Sequence, residues 1–174
     1  MLNLNELIQS SLPFFLFAIP LLILVRCFLK HNLKLKQIEL ASSLKKELIP
    51  NKIQAYERVT LLLERIHPET LILREQQAGL SNMQLHKQLL KSIRTEFDHN
   101  IAMQIYMPSK TWEYVTKARD EVSKLINTCS SQVQPNNPSM ELAHKILEKT
   151  INETNYYITK AKEKLNNDIE LMYL

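Results

Sequence analysis

Glycine is almost absent from this chain. Among 174 residues there is a single glycine, Gly79. Glycine-rich phosphate loops and dinucleotide-binding turns need several glycines, because their backbones adopt positive φ angles or approach a ligand closely. The two cysteines, Cys27 and Cys129, have neither the spacing of a zinc site nor that of a disulfide framework. These shortages argue against nucleotide-binding enzymes and disulfide-rich domains.

Strand patterns and catalytic signatures are missing as well. No segment alternates apolar and polar residues in the manner of a half-buried strand. Serine, cysteine and histidine do not occur in an arrangement typical of nucleophilic catalysis. We therefore expect an all-α protein that is not an enzyme and needs no cofactor.

Long apolar runs occur only near the N-terminus. Leu12–Val25 is free of charged and amide side chains, and apolar character extends over Leu7–Leu29. That length is sufficient for a helix to cross a bilayer. The alternatives are a cleaved signal peptide and a buried soluble helix, but no basic residue precedes the run and no small-x-small cleavage site follows it. The sequence predicts one transmembrane anchor over residues 1–30.

Basic residues follow this run directly. Between Arg26 and Lys52 there are seven basic residues and two acidic ones, a net charge of +5. The positive-inside rule then places the N-terminus outside and the C-terminal part in the cytoplasm, at a bacterial inner membrane. Four residues are predicted to contact anionic lipid headgroups: Arg26, Lys30, Lys34 and Lys36. A solvated stalk that only fixes the topology is the alternative reading of the same residues.

The rest of the chain is predicted to be a stalk and a helical domain. Leucines recur at helical spacing among the lysines of residues 31–50, which indicates a basic amphipathic stalk that Pro50 ends. Residues 51–174 then form a small antiparallel bundle of about five helices. From residue 53 onward the chain carries fifteen basic and fifteen acidic residues, so this domain is neutral and nucleic acid is not an expected partner.

Local signals divide the domain into its helices. Pro68 and Gly79 suit the start and the end of a short helix, and Ser81 with Gln84 forms a capping box. A further helix should start at Pro108. Ser139, at the end of the loop QPNNPS, should cap the last helix. That helix has an apolar seam that packs inside the domain or against a second copy of the chain. The seam consists of Leu147, Ile151, Thr154, Ile158, Ala161 and Leu165.

One predicted helix carries polar residues along its apolar stripe. The stripe is Ile93, Phe97, Ile101 and Ile105, in a helix expected to run to about Tyr106. Glu96 should pair with Arg58 or Arg65, and Arg94 with Glu57 or Glu64, because buried charges need partners. Six residues form the predicted polar network or partner groove: Arg58, Glu64, Arg94, Glu96, Asn100 and Gln104.

Glutamate precedes histidine by three residues at three places. Paired Glu-x-x-His motifs hold two metal ions in some helical bundles, and the candidate ligands here are Glu64, His67, Glu96 and His99. Chance pairs are common in a glutamate-rich chain, and His99 projects away from the Ile93 and Phe97 stripe. A metal site is therefore the alternative and not the favoured reading.

The segments QAYERVTLLLERI and IRTEFDHNIAMQIY, with Trp112 after them, resemble an uncharacterised bacterial family of single-span membrane proteins with a cytoplasmic helical domain of unknown function. The resemblance implies the same topology but supplies no activity or functional residue. Together these observations predict a membrane-anchored module for protein interaction or scaffolding, whose partner is an unknown protein or a second copy. A di-metal carboxylate bundle is the alternative.

Overall fold

A computed structural model describes the backbone of residues 4–150 and 155–173. Side chains are described from residue 20 onward, except those of residues 41, 44, 151–155, 173 and 174. The described part is helical and confirms the all-α prediction; its only bridge between extended residues joins Ser81 and Pro138. Its helices are α1 (Leu4–Ile66), α2 (Pro68–Glu75), α3 (Asn82–Asn100), a 3-10 helix (Ile101–Tyr106), α4 (Ser109–Ser130), α5 (Met140–Lys149) and α6 (Asn155–Tyr173).

Helix α1 does not end at Pro50. Backbone contacts divide the chain into the units Met1–Ile49 and Pro50–Leu174, and α1 crosses that boundary and continues to Ile66. A proline inside a helix loses one hydrogen bond and costs about 3 kcal/mol. Good helix formers on both sides of Pro50 and the buried side chains that follow it, from Ala55 to Ile66, outweigh this cost. The prediction that Pro50 ends the stalk helix is therefore wrong.

The described side chains of the first unit all belong to α1, and almost all of them are exposed. Leu22 and Phe28 are more than half exposed, as are most of the apolar residues around them. No helix within the described residues combines the length and the apolar content needed to cross a membrane. The predicted span Leu7–Leu29 lies partly outside the residues whose side chains are described, which begin at Pro20.

The second unit has a hydrophobic core to which each of its α-helices contributes buried residues. Helix α4 packs against α3, α5 and α6, and α2 packs against α3 and α5. The last turns of α1 place Tyr56, Val59 and Leu63 in this core at complete burial. The core also contains Leu85, Leu89, Ile93 and Phe97 of α3, Val115, Val122 and Ile126 of α4, Leu142 and Ile146 of α5, and Ile158, Ala161 and Leu165 of α6.

Several predicted helix boundaries are confirmed. Pro68 occupies the first turn of α2, where its missing N–H is not needed. Gly79 has a φ of 87° in a later turn, but α2 ends at Glu75 with Gln76 as its C-cap, so Gly79 does not close this helix as predicted. Ser81 and Gln84 form the reciprocal capping box at the start of α3. The two confirmed boundaries depend on residues close together in sequence, which is why local patterns predict them.

The loop that contains QPNNPS is held against the start of α3. The buried Asn82 side chain donates to the Gln134 carbonyl at 2.8 Å and to Glu141 Oε2 at 3.0 Å, and it accepts from the Leu142 N–H at 3.1 Å. Ser139 stands at the N-cap of α5 as predicted, but its Oγ accepts from Gln76 Nε2 and forms no cap hydrogen bond. The buried amide of Asn82 therefore fixes this loop.

One predicted helix is shorter than expected, and another is only partly described. Helix α3 ends at Asn100, and the 3-10 helix after it leaves Ile101 44% and Ile105 75% exposed. A 3-10 helix turns about 120° per residue, so positions four apart no longer share a face. The predicted last helix contains α5, which ends at Lys149, and α6, which begins at Asn155; residues 151–154 between them lie outside the described part of the chain. Ile151 and Thr154 of the predicted seam lie outside the described residues.

Candidate functional site

Charged side chains connect the end of α1 to α2 and α3. Glu96 Oε1 on α3 lies 3.2 Å from Arg65 Nε on α1 and 4.0 Å from Arg74 Nη2 on α2. Arg65 is one of the two partners that the sequence predicts for Glu96. The same Arg74 nitrogen donates to Ser92 Oγ at 2.8 Å. This cluster joins three helices around one carboxylate.

Glu75 continues the cluster at the end of α2. Its Oε1 accepts from Arg74 Nε at 3.0 Å and Ser92 Oγ at 2.8 Å, and its Oε2 accepts from Gln88 Nε2 at 3.1 Å. Burial acts to raise the pKa of Glu75, but the hydrogen bonds from Ser92, Arg74 and Gln88 and the charge of Arg74 leave it below its ordinary value. Both oxygens of the Glu75 carboxylate therefore accept hydrogen bonds that fasten α2 to α3.

The six residues of the predicted polar network do not come together. Glu96 joins the cluster just described, whereas Glu64 is exposed and pairs with Lys162 of α6. Asn100 is buried, and its amide donates to the Glu96 carbonyl of its own helix at 2.8 Å. Arg58 and Gln104 are exposed. Buried amides need a hydrogen bond, and here the preceding turn of the same helix supplies it for Asn100.

The candidate metal ligands are also separate. Glu64 and Glu96 are engaged in ion pairs with basic side chains, and His99 is exposed. His67 is half-buried at the junction of α1 and α2. Within the described residues, no three histidine, cysteine, aspartate or glutamate side chains are placed to hold one ion.

The predicted lipid-contacting residues lie on the first unit. The side chains of Arg26, Lys30, Lys34 and Lys36 are all exposed on α1. They follow a segment whose described apolar side chains, from Leu21 to Val25, are exposed in every direction around the helix. Charged and apolar groups thus lie next to each other along one helix.

A cavity of about 350 Å³ lies between α3 and α4, and we call it the α3–α4 pocket. Its floor consists of the core side chains Ile93 and Phe97 together with Leu90. Its polar rim consists of Arg94, Asp98, Arg119, Ser123 and Asn127. An apolar floor with a few convergent polar groups is typical of a small binding site, and 350 Å³ is near the lower limit for such sites. Of the six predicted network residues, only Arg94 lines this pocket.

Arg119 is held in place within the pocket. Its guanidinium lies 4.2 Å from the centre of the Phe97 ring, which in turn lies 5.5 Å from the ring of Trp112. Its Nε and Nη2 donate to Asp120 Oδ1 at 2.9 and 2.6 Å. Stacking and the forked hydrogen bond fix the plane of the charged group. Sequence reasoning missed this residue, since nothing local indicates that Arg119 stacks on Phe97.

A second polar contact absent from the sequence predictions joins α1, α4 and α6. Asp168 Oδ2 accepts from Tyr56 at 3.2 Å and from Thr111 at 2.6 Å. Burial, and then the neighbouring Asp168 carboxylate, raise the pKa of Tyr56 well above its ordinary value. Helical spacing could have indicated that Asp168 faces the other helices, because it follows the buried Leu165 by three residues on α6.

Comparison with known proteins assigns no activity. A family model matches residues 2–172, nearly the whole chain, and its description is a family of unknown function, DUF7935. No curated protein and no solved structure matches the chain significantly.

Proposed function

This chain belongs to DUF7935, a family of unknown function, and we propose that it is a membrane-tethered helical module that binds another protein or a second copy of itself. Its first unit is the tether and its second unit is the binding module. The tether holds the module at the cytoplasmic face of a bacterial inner membrane. One observation carries the proposal: consecutive exposed apolar residues on α1 run directly into a basic segment.

The exposed apolar residues support the tether. Leu21, Leu22, Ile23 and Leu24 are each about 62–66% exposed, and being consecutive they cover all sides of the helix. Removing apolar surface from water is worth roughly 25 cal/mol per Å², so an all-round apolar surface favours a medium that surrounds it completely. A bilayer is such a medium, whereas a protein groove covers only one side.

The basic residues support the orientation. Arg26, Lys30, Lys34 and Lys36 follow the apolar residues at once, whereas Glu6 is the only charged side chain before them. Short segments rich in lysine and arginine remain on the cytoplasmic side. Anionic headgroups on that side add attraction of about 1 kcal/mol per basic residue near the surface.

Polar residues in the second unit support a binding role over a catalytic one. The Glu75 and Glu96 carboxylates are occupied by hydrogen bonds and ion pairs that fasten helices together. The α3–α4 pocket is open at its rim, and Ile101 and Ile105 are exposed on the 3-10 helix. Exposed apolar side chains and an arginine-lined pocket are features of surfaces that bind proteins.

Membrane fractionation of the full-length protein tests the tether. We expect the protein to stay in the membrane pellet through a high-salt wash and an alkaline carbonate wash and to leave it only in detergent. Release by salt alone would show attachment through charge only and would contradict a spanning helix.

Cysteine labelling tests the orientation. Ser131→Cys in a Cys27→Ser background should resist an impermeant maleimide in intact cells and react after lysis, because Ser131 is exposed.

Native mass spectrometry of the protein, extracted gently from its own membrane, tests the binding role. A mass that includes another polypeptide, or an integral multiple of the chain, is the expected result. A single chain under all extraction conditions would contradict the binding role, whereas it would leave the membrane tether unaffected.

A further inference from the structure

The α3–α4 pocket contains one fixed and one free arginine. Arg119 is fixed by the Phe97 ring on one face and by Asp120 on one edge. A guanidinium has five N–H donors, and Asp120 engages only the Nε edge, so the Nη1 side remains available. A cation that is already ordered loses little conformational entropy when it binds an anion.

Arg94 supplies the second charge. Its side chain is exposed on α3, and it forms no ion pair or hydrogen bond with any part of the chain that the structure describes. Asn127, also on the rim, forms a hydrogen bond between its Oδ1 and His86 Nε2 at 2.8 Å. This assignment leaves the Asn127 amide N–H groups as further donors. The rim therefore offers several donors over an apolar floor.

We infer that the α3–α4 pocket binds the carboxylate of an aspartate or glutamate side chain presented by a protein partner. The inference rests on the proposed binding function and names the chemistry of the partner. Guanidinium groups bind carboxylates through two parallel hydrogen bonds, which are charge-assisted and directional. The floor of Leu90, Ile93 and Phe97 accommodates an apolar residue next to the acidic one.

Charge favours a carboxylate over a phosphate. Asp98 lies on the same rim as Arg94, and Asp120 already neutralises part of Arg119. The positive charge available to a ligand is therefore small, and Asp98 repels a dianion more strongly than a monoanion. A single carboxylate matches this balance.

Titration of the only tryptophan tests the inference. Trp112 packs against Phe97, on which Arg119 stacks, so its fluorescence should change when the pocket is filled. The full-length protein in a neutral detergent is titrated with a short peptide in which glutamate alternates with leucine, blocked at both ends. We expect a saturable change with this peptide and none with the glutamine counterpart.

Two variants and one control decide the assignment. Arg94→Gln should weaken binding roughly ten- to a hundredfold, because it removes charge-assisted hydrogen bonds. Asp98→Asn should strengthen binding a few-fold, since it removes a like charge, and a purely structural effect would not do so. Arg58→Gln is the matched control, being an exposed arginine without a partner in the described structure, and it should bind as the wild type does.

Each other outcome overturns the inference. Equal affinity in wild type and Arg94→Gln would place the peptide elsewhere, and the absence of any saturable change would leave the pocket without this ligand. Preference for inorganic phosphate, or for a glutamine peptide with a free terminal carboxylate, would assign the pocket to a different anion. Membrane pelleting does not depend on these titrations, so failure of the pocket and failure of the tether are distinguishable.

Discussion

Two stretches of α1 contain similar amounts of leucine but differ in how they are covered. Leu22 is 63% exposed, whereas Leu62, forty residues later in the same helix, is 1% exposed. Around Leu22 the apolar residues are consecutive. Around Leu62 the apolar run is only three leucines long and charged residues lie on both sides of it, so that Glu57, Arg58 and Glu64 face solvent while Val59 and Leu63 face the core.

The spacing of apolar residues, more than their number, therefore indicates what covers a helix. An apolar stripe three or four residues apart can be satisfied by neighbouring helices on one side. An apolar run without interruption needs cover on every side, which the other described residues do not provide for Leu22. The same helix therefore contains one stretch whose inward face is buried in a core and one whose described side chains are exposed.

The largest expected effect comes from placing charges in the uninterrupted apolar run of α1. Leu22→Asp combined with Ile23→Asp should abolish membrane association, because a charge inside a span costs up to roughly 2.5–3.5 kcal/mol of insertion free energy, the value at its centre. Flotation of full-length protein with liposomes measures the effect. The exposed pair Leu61→Asp and Leu73→Asp in the second unit is the matched control and should still float. Flotation of the Leu22 and Ile23 variant would refute the tether.

The second prediction contrasts two adjacent leucines of α1. Leu62→Ala should lower the free energy of unfolding by about 2–5 kcal/mol, since it leaves a cavity in the core. Leu61→Ala, at a position 59% exposed, should change it by less than about 0.5 kcal/mol. Denaturant unfolding followed by Trp112 fluorescence compares the two. Equal effects would mean that the burial pattern at the end of α1 is incorrect.

Sequence patterns were sufficient where the determinants are local. The capping box of Ser81 and Gln84 and the position of Pro68 both involve residues within a few positions of one another. Pro50 is the instructive exception, because a local rule favours a break there and the surrounding helix overrides it. Local rules predict helix starts well when no longer-range packing opposes them.

Contacts between distant residues were not predictable in the same way. Tyr56 and Asp168 are 112 positions apart in sequence. Arg119 on α4 stacks on Phe97 of the neighbouring helix α3. The pairing of Glu96 was narrowed to Arg58 or Arg65, but only the geometry of α1 against α3 selects Arg65. Both arginines lie outside the apolar face of α1, so the apolar pattern of that helix does not indicate which of them pairs with Glu96.

The third prediction concerns the carboxylate that joins three helices. Asp168→Ala should cost about 1–3 kcal/mol of stability, because the hydroxyls of Tyr56 and Thr111 lose their common acceptor. Asp168→Asn, which keeps an oxygen acceptor, should recover part of the loss. Glu163→Ala is the control on α6: its pair with Lys160 is surface-exposed and should be worth less than about 1 kcal/mol. Equal losses at Asp168 and Glu163 would show that the buried contact contributes no more than the surface pair.

The smallest expected effect is pH-dependent and separates the two acidic residues of α2. Glu75→Gln should cost about 1 kcal/mol near neutral pH, because it removes charge-assisted hydrogen bonds. The folded-state pKa of Glu75 is lowered, so the ionised carboxylate stabilises the fold above the unfolded-state pKa, and this contribution disappears as the pH falls through the folded-state pKa. Unfolding free energies measured from neutral to acidic pH should therefore converge for wild type and Glu75→Gln. Glu69→Gln, at an exposed position of the same helix, should show no such convergence, and a constant gap for Glu75→Gln would mean that its ionisation does not stabilise the fold.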